Sequence, residues 1–397
     1  MKHSLLNLTK KTDITPQVFG YLYRQVDHYL TPFLTLFSNY VDKRYISTFH
    51  ELFLAILKNR NSTRNLLLSE LGSFVAGGAH AKAGTKRISN LLHCKTWDHN
   101  LIREHLHKQA DQRVSKMLSM ESEPLLLWDG SCLEKHESIK HEALCPVASS
   151  KAQRLARIKP GYYTPPTKKY VFVPGFHIEG IALTALNSTA SIFEMNVWTS
   201  RGKYKEWPGN YLWNGFKYCQ ENYGNHTVLH VFDRGYAHST LLEYAAHFQQ
   251  NFLVRWKKNH HLIDEKGTRA TYMISRGCKN KSFKITYDKE RKRHKHNLIT
   301  WKKVKHPFMG EMEYTLIIVR EKEKNSPMYF LTNKAIETKN QAWKMLFSYM
   351  KRWEVEEIFR CCKSELGIQS IRMKSWYGVQ KMISILVLCY NFLVEII

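Results

Sequence analysis

The chain has 397 residues, with 60 Lys plus Arg against 34 Asp plus Glu and a formal net charge of +26. Hydrophobic residues make up 43% and aromatics 13%, which excludes global disorder and allows two or three domains with a sizeable core. The cationic surplus points to a polyanionic partner, and no basic amphipathic helix stands alone to favour an anionic membrane instead.

The opening stretch, MKHSLLNLTKKTD, lacks the apolar core of a signal peptide. The longest apolar run, Met382 to Ile397, carries Asn391 and Glu395 and is predicted to be a buried helix, not a membrane span. Eight cysteines with no Cys-x-x-Cys pair suit the reducing cytosol, and Cys361 and Cys362 read as ordinary helix residues. Residues 1–118 are expected to form a helical, DNA-binding N-terminal domain. Apolar residues recur at helical spacing from Phe49 to Leu57 and again from Ile102 to Leu106. Between them, Gly84 to His93 has a basic start and an apolar finish. As a helix laid along DNA it would turn Lys82, Lys86 and Arg87 toward phosphate; the competing reading is a solvated charged face.

From residue 124 the period changes. Pro124 to Trp128 is an apolar run closed by Asp129, Gly130 and Ser131, a buried strand ending in a turn. A loop rich in Lys, Arg and Pro follows, from 151 to 169. Tyr170 to Leu186 and Ile192 to Thr199 alternate as a hairpin, and Tyr211 to Asn222 reads as a helix. Thr227 to Phe232 is a second buried strand, ending in Asp233, Arg234 and Gly235. A helix from His238 to Gln249 leads to the strand Asn251 to Lys257, which ends in Arg255 and Lys257. Residues 259–332 read as a β-rich insertion, with strands Leu298 to Val304, Tyr314 to Val319 and Met328 to Thr332 around the basic cluster of Arg291, Lys292 and Arg293. Helix returns at Asn340. The expected core is therefore 119–258 joined to 333–397.

That last helix carries Tyr349, Arg352, Glu356 and Lys363. At about 100° per residue these four side chains fall within roughly 60° of one another. An acid flanked by two bases and a phenol suits a metal ion beside a phosphate backbone. Asp129 and Asp233 each end a buried strand, where an acid caps a turn or binds a cation. Joined to Glu356 they favour the cation. Mg²⁺ takes one or two carboxylates per ion, and two ions about 3.5 to 4 Å apart serve phosphodiester chemistry.

In this order, the sequence resembles the α/β, ribonuclease-H-like catalytic core of the DDE transposases of bacterial insertion sequences. Tyr349, Arg352, Glu356 and Lys363 match the Tyr-(2)-Arg-(3)-Glu-(6)-Lys signature of one branch. Asp233-Arg234-Gly235 resembles that branch's second-aspartate motif, and Tyr329 to Asn333 resembles the strand entering its last helix. The resemblance covers roughly residues 80 to 390. It implies that Asp129, Asp233 and Glu356 are the catalytic, metal-binding triad, holding two Mg²⁺ ions for which Mn²⁺ can substitute. Tyr349, Arg352 and Lys363 would hold transposon-end DNA near the cut. The implied activity is cut-and-paste: cleavage at terminal inverted repeats, then strand transfer into target DNA, by a homodimer on double-stranded DNA. A cytoplasmic, nucleoid-associated protein without a membrane partner follows. Lys86, Arg87, Arg255, Lys257, Arg291, Lys292 and Arg293 are further expected DNA contacts. Some relatives carry a base-stacking tryptophan where this chain has Met328 and Tyr329. Tyr329, Trp256, Trp301 and Trp353 are the stacking candidates, with core or groove packing as the alternative for the tryptophans.

Two other functions compete: a domesticated, catalytically silent DNA-binding protein, and a ribonuclease-H-like nuclease without strand transfer. His136-Glu137 with His141-Glu142, and Cys278 with His294, His296 and His306, match no known zinc spacing. No phosphate-binding Gly-x-x-x-x-Gly-Lys-Ser/Thr loop and no Gly-x-Ser-x-Gly elbow occur. A tyrosine recombinase built on Tyr349 and Arg352 is opposed by Glu356, which would repel phosphate without a metal.

Overall fold

The computed structural model describes residues 16–61, 66–135, 141–149, 172–288, 293–324 and 326–396. Arg291, Lys292, His136, Glu137, the side chain of Arg293 and the 151–169 loop lie outside what is described. Five helices come first: α1 (Pro16–Phe37), α2 (Lys43–Lys58), α3 (Leu68–Ala76), α4 (Ala81–His93) and α5 (His99–Ser119). Asp42 and Asp98 start α2 and α5 by accepting backbone N–H bonds, which satisfies donors that have no partner within the helix. Helices α3 and α4 touch backbone to backbone. A Cβ on Gly84 would lie 2.1 Å from the Gly72 carbonyl oxygen, so only glycine permits the crossing.

Twelve strands then build one mixed sheet among the described residues. They are β1 (Leu125–Glu134), β2 (Cys145–Ala148), β3 (Phe172–Thr184), β4 (Ser191–Trp198), β5 (Leu229–Phe232), β6 (Asn251–Trp256), β7 (His261–Asp264), β8 (Gly267–Ala270), β9 (Ser282–Asp288), β10 (Arg293–Lys305), β11 (Glu313–Glu321) and β12 (Met328–Thr332). Helix α6 (Gly209–Tyr223) precedes β5, α7 (Ser239–His247) precedes β6, and α8 (Thr271–Arg276) follows β8. Three helices close the chain: α9 (Lys339–Lys351), α10 (Trp353–Ser364) and α11 (Trp376–Glu395). Strands β1, β5 and β6 are parallel neighbours, while β3 and β4 run antiparallel on the far side of β1. The order β4-β3-β1-β5-β6 is compatible with the ribonuclease-H-like core expected from the sequence. The β-rich stretch after residue 259 does not stand apart as a second sheet. Its strand β12 pairs with β6, and β11 and β10 continue the same ladder.

Both faces of this sheet are covered, which is why its central strands read as unbroken apolar runs. Leu125 and Leu127 face a core shared with α9, α10, α11 and the N-terminal helices. Leu126 and Trp128 face a second core under α6 and α7. Helix α11 is long and apolar enough to cross a membrane by length and hydropathy alone, yet 72% of that window is buried inside the protein. Its Asn391, a polar residue in the apolar run, donates to the Ile192 carbonyl and accepts from the Ile192 N–H at 2.9 and 2.8 Å. Phe392 packs against Tyr29 of α1 and Phe53 of α2. The N-terminal helices and the sheet therefore share one hydrophobic core through α11.

Candidate active site

Asp129 is held in place by its neighbours on β1. Trp128 is fully buried, donates from Nε1 to His230 Nδ1 at 3.1 Å, and fits beneath α6 only because Gly215 has no Cβ; one there would lie 2.5 Å from the indole. Asp129 pairs across the ladder with Gly180 of β3. A Cβ on Gly180 would lie 2.6 Å from the Phe359 ring, so this glycine lets α10 approach the strand that bears the acid. Asp233 follows β5 directly, where the chain enters the 3-10 turn Arg234–Tyr236. The turn expected at Asp129 is absent: β1 runs on to Glu134, held by its ladder with β3, and Asp129 stands just past the last β1–β5 pair, Trp128 with Phe232, beside Asp233 at the C-terminal end of β5. Two acids 104 positions apart in the chain thus meet at the kind of strand end where open α/β sheets place their sites.

The third acid arrives on the C-terminal helices. Thr338 and Gln341 form a reciprocal capping box that starts α9. At the end of β12, Asn333 accepts from Phe252 N–H at 3.0 Å and donates to the Gln250 carbonyl at 2.9 Å, tying the entry to α9 onto β6. The single helix expected from Asn340 onward is two, α9 and α10, meeting at Arg352. There Arg352 N–H bonds to the Tyr349 carbonyl and Val355 N–H to the Arg352 carbonyl, a local 3-10-type tightening. Arg352 keeps right-handed helical dihedrals (φ −52°, ψ −29°), so the face carrying the four signature residues persists through the junction.

All four reach the strand edge. Arg352 donates from Nη1 to Asp129 Oδ2 at 2.9 Å and from Nη2 to Glu356 Oε1. Tyr349 donates its hydroxyl to Asp233 Oδ1 at 3.2 Å. Lys363 donates from Nζ to Ser131 Oγ at 2.6 Å, two residues along β1 from Asp129. Arg255 stands beside the Tyr349 hydroxyl. Burial pushes the Asp129 carboxyl up to about 6; Arg352 opposes the shift, and the nearby Glu356 and Asp233 carboxylates add to it. Burial likewise raises the Tyr349 phenol. Arg352 is held firmly protonated by Glu356 and Asp129 against the cost of its burial, and its Nε is a buried donor without a partner among the described residues.

The donor set has the chemistry of a divalent-cation site: three hard carboxylate oxygens groups, electrostatically coupled, at one edge. Arg352 lies between two of them, and among the described residues no three His, Cys, Asp or Glu side chains are placed to hold a metal ion together as they stand. The residues therefore fit a divalent ion in donor type and charge, with the guanidinium bridging Asp129 and Glu356 in this arrangement.

The other expected contacts divide. Lys86 is exposed on α4; Arg87, its side chain 41% exposed, pairs with Glu51 Oε2 at 2.9 Å and donates to Thr48 Oγ1 at 3.3 Å. Lys257 follows β6, half-buried. Of the stacking candidates, Tyr329 is only 4% exposed and its hydroxyl bonds Ser275, so it is a core residue. Trp256 is buried as well, and Trp301 is half-buried under Lys281. Trp353, at 39% exposure, is the accessible one of the four. One acid near the site carried no signal in the sequence. Glu179 of β3 is 6% exposed and accepts from the Tyr236 hydroxyl. Burial pushes its carboxyl up to about 8, the Tyr236 bond opposing and Asp129 adding.

Residues 214–392 match the family model described as a transposase DDE domain. Asp233 and Glu356 lie within the matched stretch, and Asp129 precedes it. The match supports a DDE transposase, an enzyme acting on DNA. No curated protein sequence matches the chain.

Proposed function

We propose that this chain is a metal-dependent, cut-and-paste DNA transposase of the Tyr-Arg-Glu-Lys branch, with Asp129, Asp233 and Glu356 as its catalytic carboxylates. The observation that carries the reading is the convergence of the four signature side chains on the strand edge bearing both aspartates. Divalent ions, Mg²⁺ or Mn²⁺, held by the three carboxylates would polarise the scissile phosphate and activate the attacking oxygen, serving water and a 3′-hydroxyl alike. The chain's own residues supply the rest. Lys363 and Arg352 stand as cations for the DNA backbone at the cut, and the buried Arg352 Nε is a donor available to a phosphate oxygen. Tyr349 orients Asp233. Exposed Lys86 and the basic residues Arg255, Lys257, Arg291, Lys292 and Arg293 would add salt-dependent affinity for the duplex.

The reading entails hydrolysis at each terminal inverted repeat, freeing a 3′-hydroxyl that then attacks target DNA, by a homodimer engaging two ends in the bacterial cytoplasm at the nucleoid. Incubating the protein with its element ends and Mg²⁺ tests it. Wild type is expected to nick and join, while Asp129→Ala, Asp233→Ala and Glu356→Ala each bind the ends without cutting. Full cleavage by any of the three would overturn the assignment. Cutting without joined products would leave a nuclease, and binding without any cutting by wild type a silent DNA-binding protein.

A further inference from the structure

Behind β1, on the face opposite Asp129, a carboxyl and a phenol meet. Side chains alternate faces along a strand, so Asp129 and Ser131 point to α10 while Gly130 faces the other way. Glu179 pairs with Gly130 across the β1–β3 ladder and shares its face. Glu179 Oε1 accepts the hydroxyl of Tyr236, the last residue of the 3-10 turn that begins at Asp233. That bond joins β3 to a turn on the far side of β1. Gly130 lies beside it: a Cβ there would stand 3.6 Å from Glu179 Oε2, an ordinary contact distance. The turn itself is closed by Tyr236 N–H bonding the Asp233 carbonyl at 3.1 Å, and the Tyr236 ring packs against Phe232 at 5.1 Å. Asp233 is therefore held from two sides, by Tyr349 in front and by the Glu179–Tyr236 bond behind.

We propose that Glu179 is a positioning residue that, through Tyr236, fixes the Asp233 carboxylate against Asp129 in the geometry the reaction needs. It is not a fourth ligand, because its strand position directs it away from the face on which Asp129, Glu356 and Arg352 meet. Nor does it serve as one half of an ion pair: no cation contacts it among the described residues. A buried carboxyl with a phenol as its partner is costly to fold around, and the site that lies just across β1 accounts for its presence.

The inference rests on the transposase reading, and its test separates the two. Mn²⁺ binding is measured by electron paramagnetic resonance on the full chain, beside end cleavage and thermal melting, for wild type, Glu179→Gln, Glu179→Leu and Tyr236→Phe. Gln keeps an acceptor for Tyr236, so E179Q should bind Mn²⁺ and cleave within about twofold of wild type. E179L and Y236F should each lose about tenfold or more in Mn²⁺ affinity and in cleavage rate, the range typical of residues that orient metal ligands. E179L leaves the buried Tyr236 hydroxyl without its acceptor and should melt lower, so the double variant E179L/Y236F, which removes both polar partners and should melt near wild type, separates lost positioning from unfolding: it should show the same loss of Mn²⁺ affinity and cleavage. Wild-type Mn²⁺ affinity in E179L, or in Y236F should E179L fail to fold, overturns the proposal. Equal losses in E179Q and E179L overturn it in favour of a charge acting directly on the ion. Failure of wild type to bind Mn²⁺ or to cleave would instead count against the transposase reading.

Discussion

Arg352 reaches Asp129 across 223 positions of sequence, its Nη1 lying 2.9 Å from Oδ2. The same guanidinium contacts Glu356, so one cation serves two carboxylates on different elements. Both carboxylates are largely buried, with side-chain exposures of 19% and 32%. Arg352→Ala should therefore cost about 3 kcal/mol in urea unfolding with chelator present, because two anions lose their shared partner. Millimolar Mg²⁺ should recover a large part of that loss while leaving wild type less affected. A loss that is the same with and without Mg²⁺ would show that the two acids do not share a divalent ion.

Proton uptake by Asp129 sets a pH dependence. Its carboxyl sits near 6 in the folded protein, above the value of about 4 expected in the unfolded chain. The folded state therefore holds a proton that the unfolded state has lost between those two values. This contribution favours folding below about pH 4 and is lost as pH rises toward 6, by up to about 1.4 kcal/mol per pH unit within the window. Metal binding needs the ionised carboxylate and runs the opposite way. Mn²⁺ affinity should climb between about pH 5 and 7, and Asp129→Asn should bind weakly with that rise flattened. An affinity independent of pH across this window in wild type would contradict the arrangement.

Gly180 makes room for Phe359, and the fit is tight. Gly180→Ala puts a methyl group 2.6 Å from the ring, so α10 must move away from β1 or the ring must turn. The expected cost is about 1–3 kcal/mol in thermal or urea melts, with Glu356 carried away from Asp129 and cleavage reduced about tenfold. Trimming the ring in the double variant Gly180→Ala/Phe359→Leu should recover much of both. Additive losses in the double variant would mean that the two residues do not clash.

Lys86 and Arg87 are adjacent yet should behave differently. Lys86→Ala should weaken end-DNA binding for every sequence tested and lower the salt dependence by about one phosphate contact, with no change in melting. Arg87→Ala removes the ion pair to Glu51 and the bond to Thr48. It should lower stability by about 0.5–1 kcal/mol and leave the salt slope unchanged. Fluorescence anisotropy at several salt concentrations distinguishes the two; identical salt slopes for both variants would remove the basis for the contrast.

Much of the site was legible because it rests on local pattern. A strand stretch buried on both faces must be apolar, so the acids that follow Leu125–Trp128 and Leu229–Phe232 stand out in the sequence, although β1 itself continues past Asp129 to Glu134. Tyr349, Arg352, Glu356 and Lys363 are legible as one face because helical geometry is periodic, and the tightened turn at Arg352 is too small to rotate them apart. Aromatic residues were harder to judge. Tyr329 and Trp353 carry similar stacking chemistry, and nothing local distinguishes the tyrosine sealed by Ser275 from the tryptophan left accessible.

Composition and spacing alone determined that this is a cationic α/β protein with two aspartates that each follow a buried apolar run and one helix-borne glutamate between bases. Those features arise from neighbours in the chain, through the periods of strand and helix. Only the tertiary structure decided that β1 runs on past Asp129, that the β-rich stretch extends the core sheet, that α11 fuses the N-terminal helices to it, that Arg87 pairs with Glu51, and that Glu179 meets Tyr236 behind Gly130. Each depends on which strand pairs with which and in what register, and on which side chains are excluded from water when the pairs close. Those choices are made by the whole chain at once, and no short window of residues contains them.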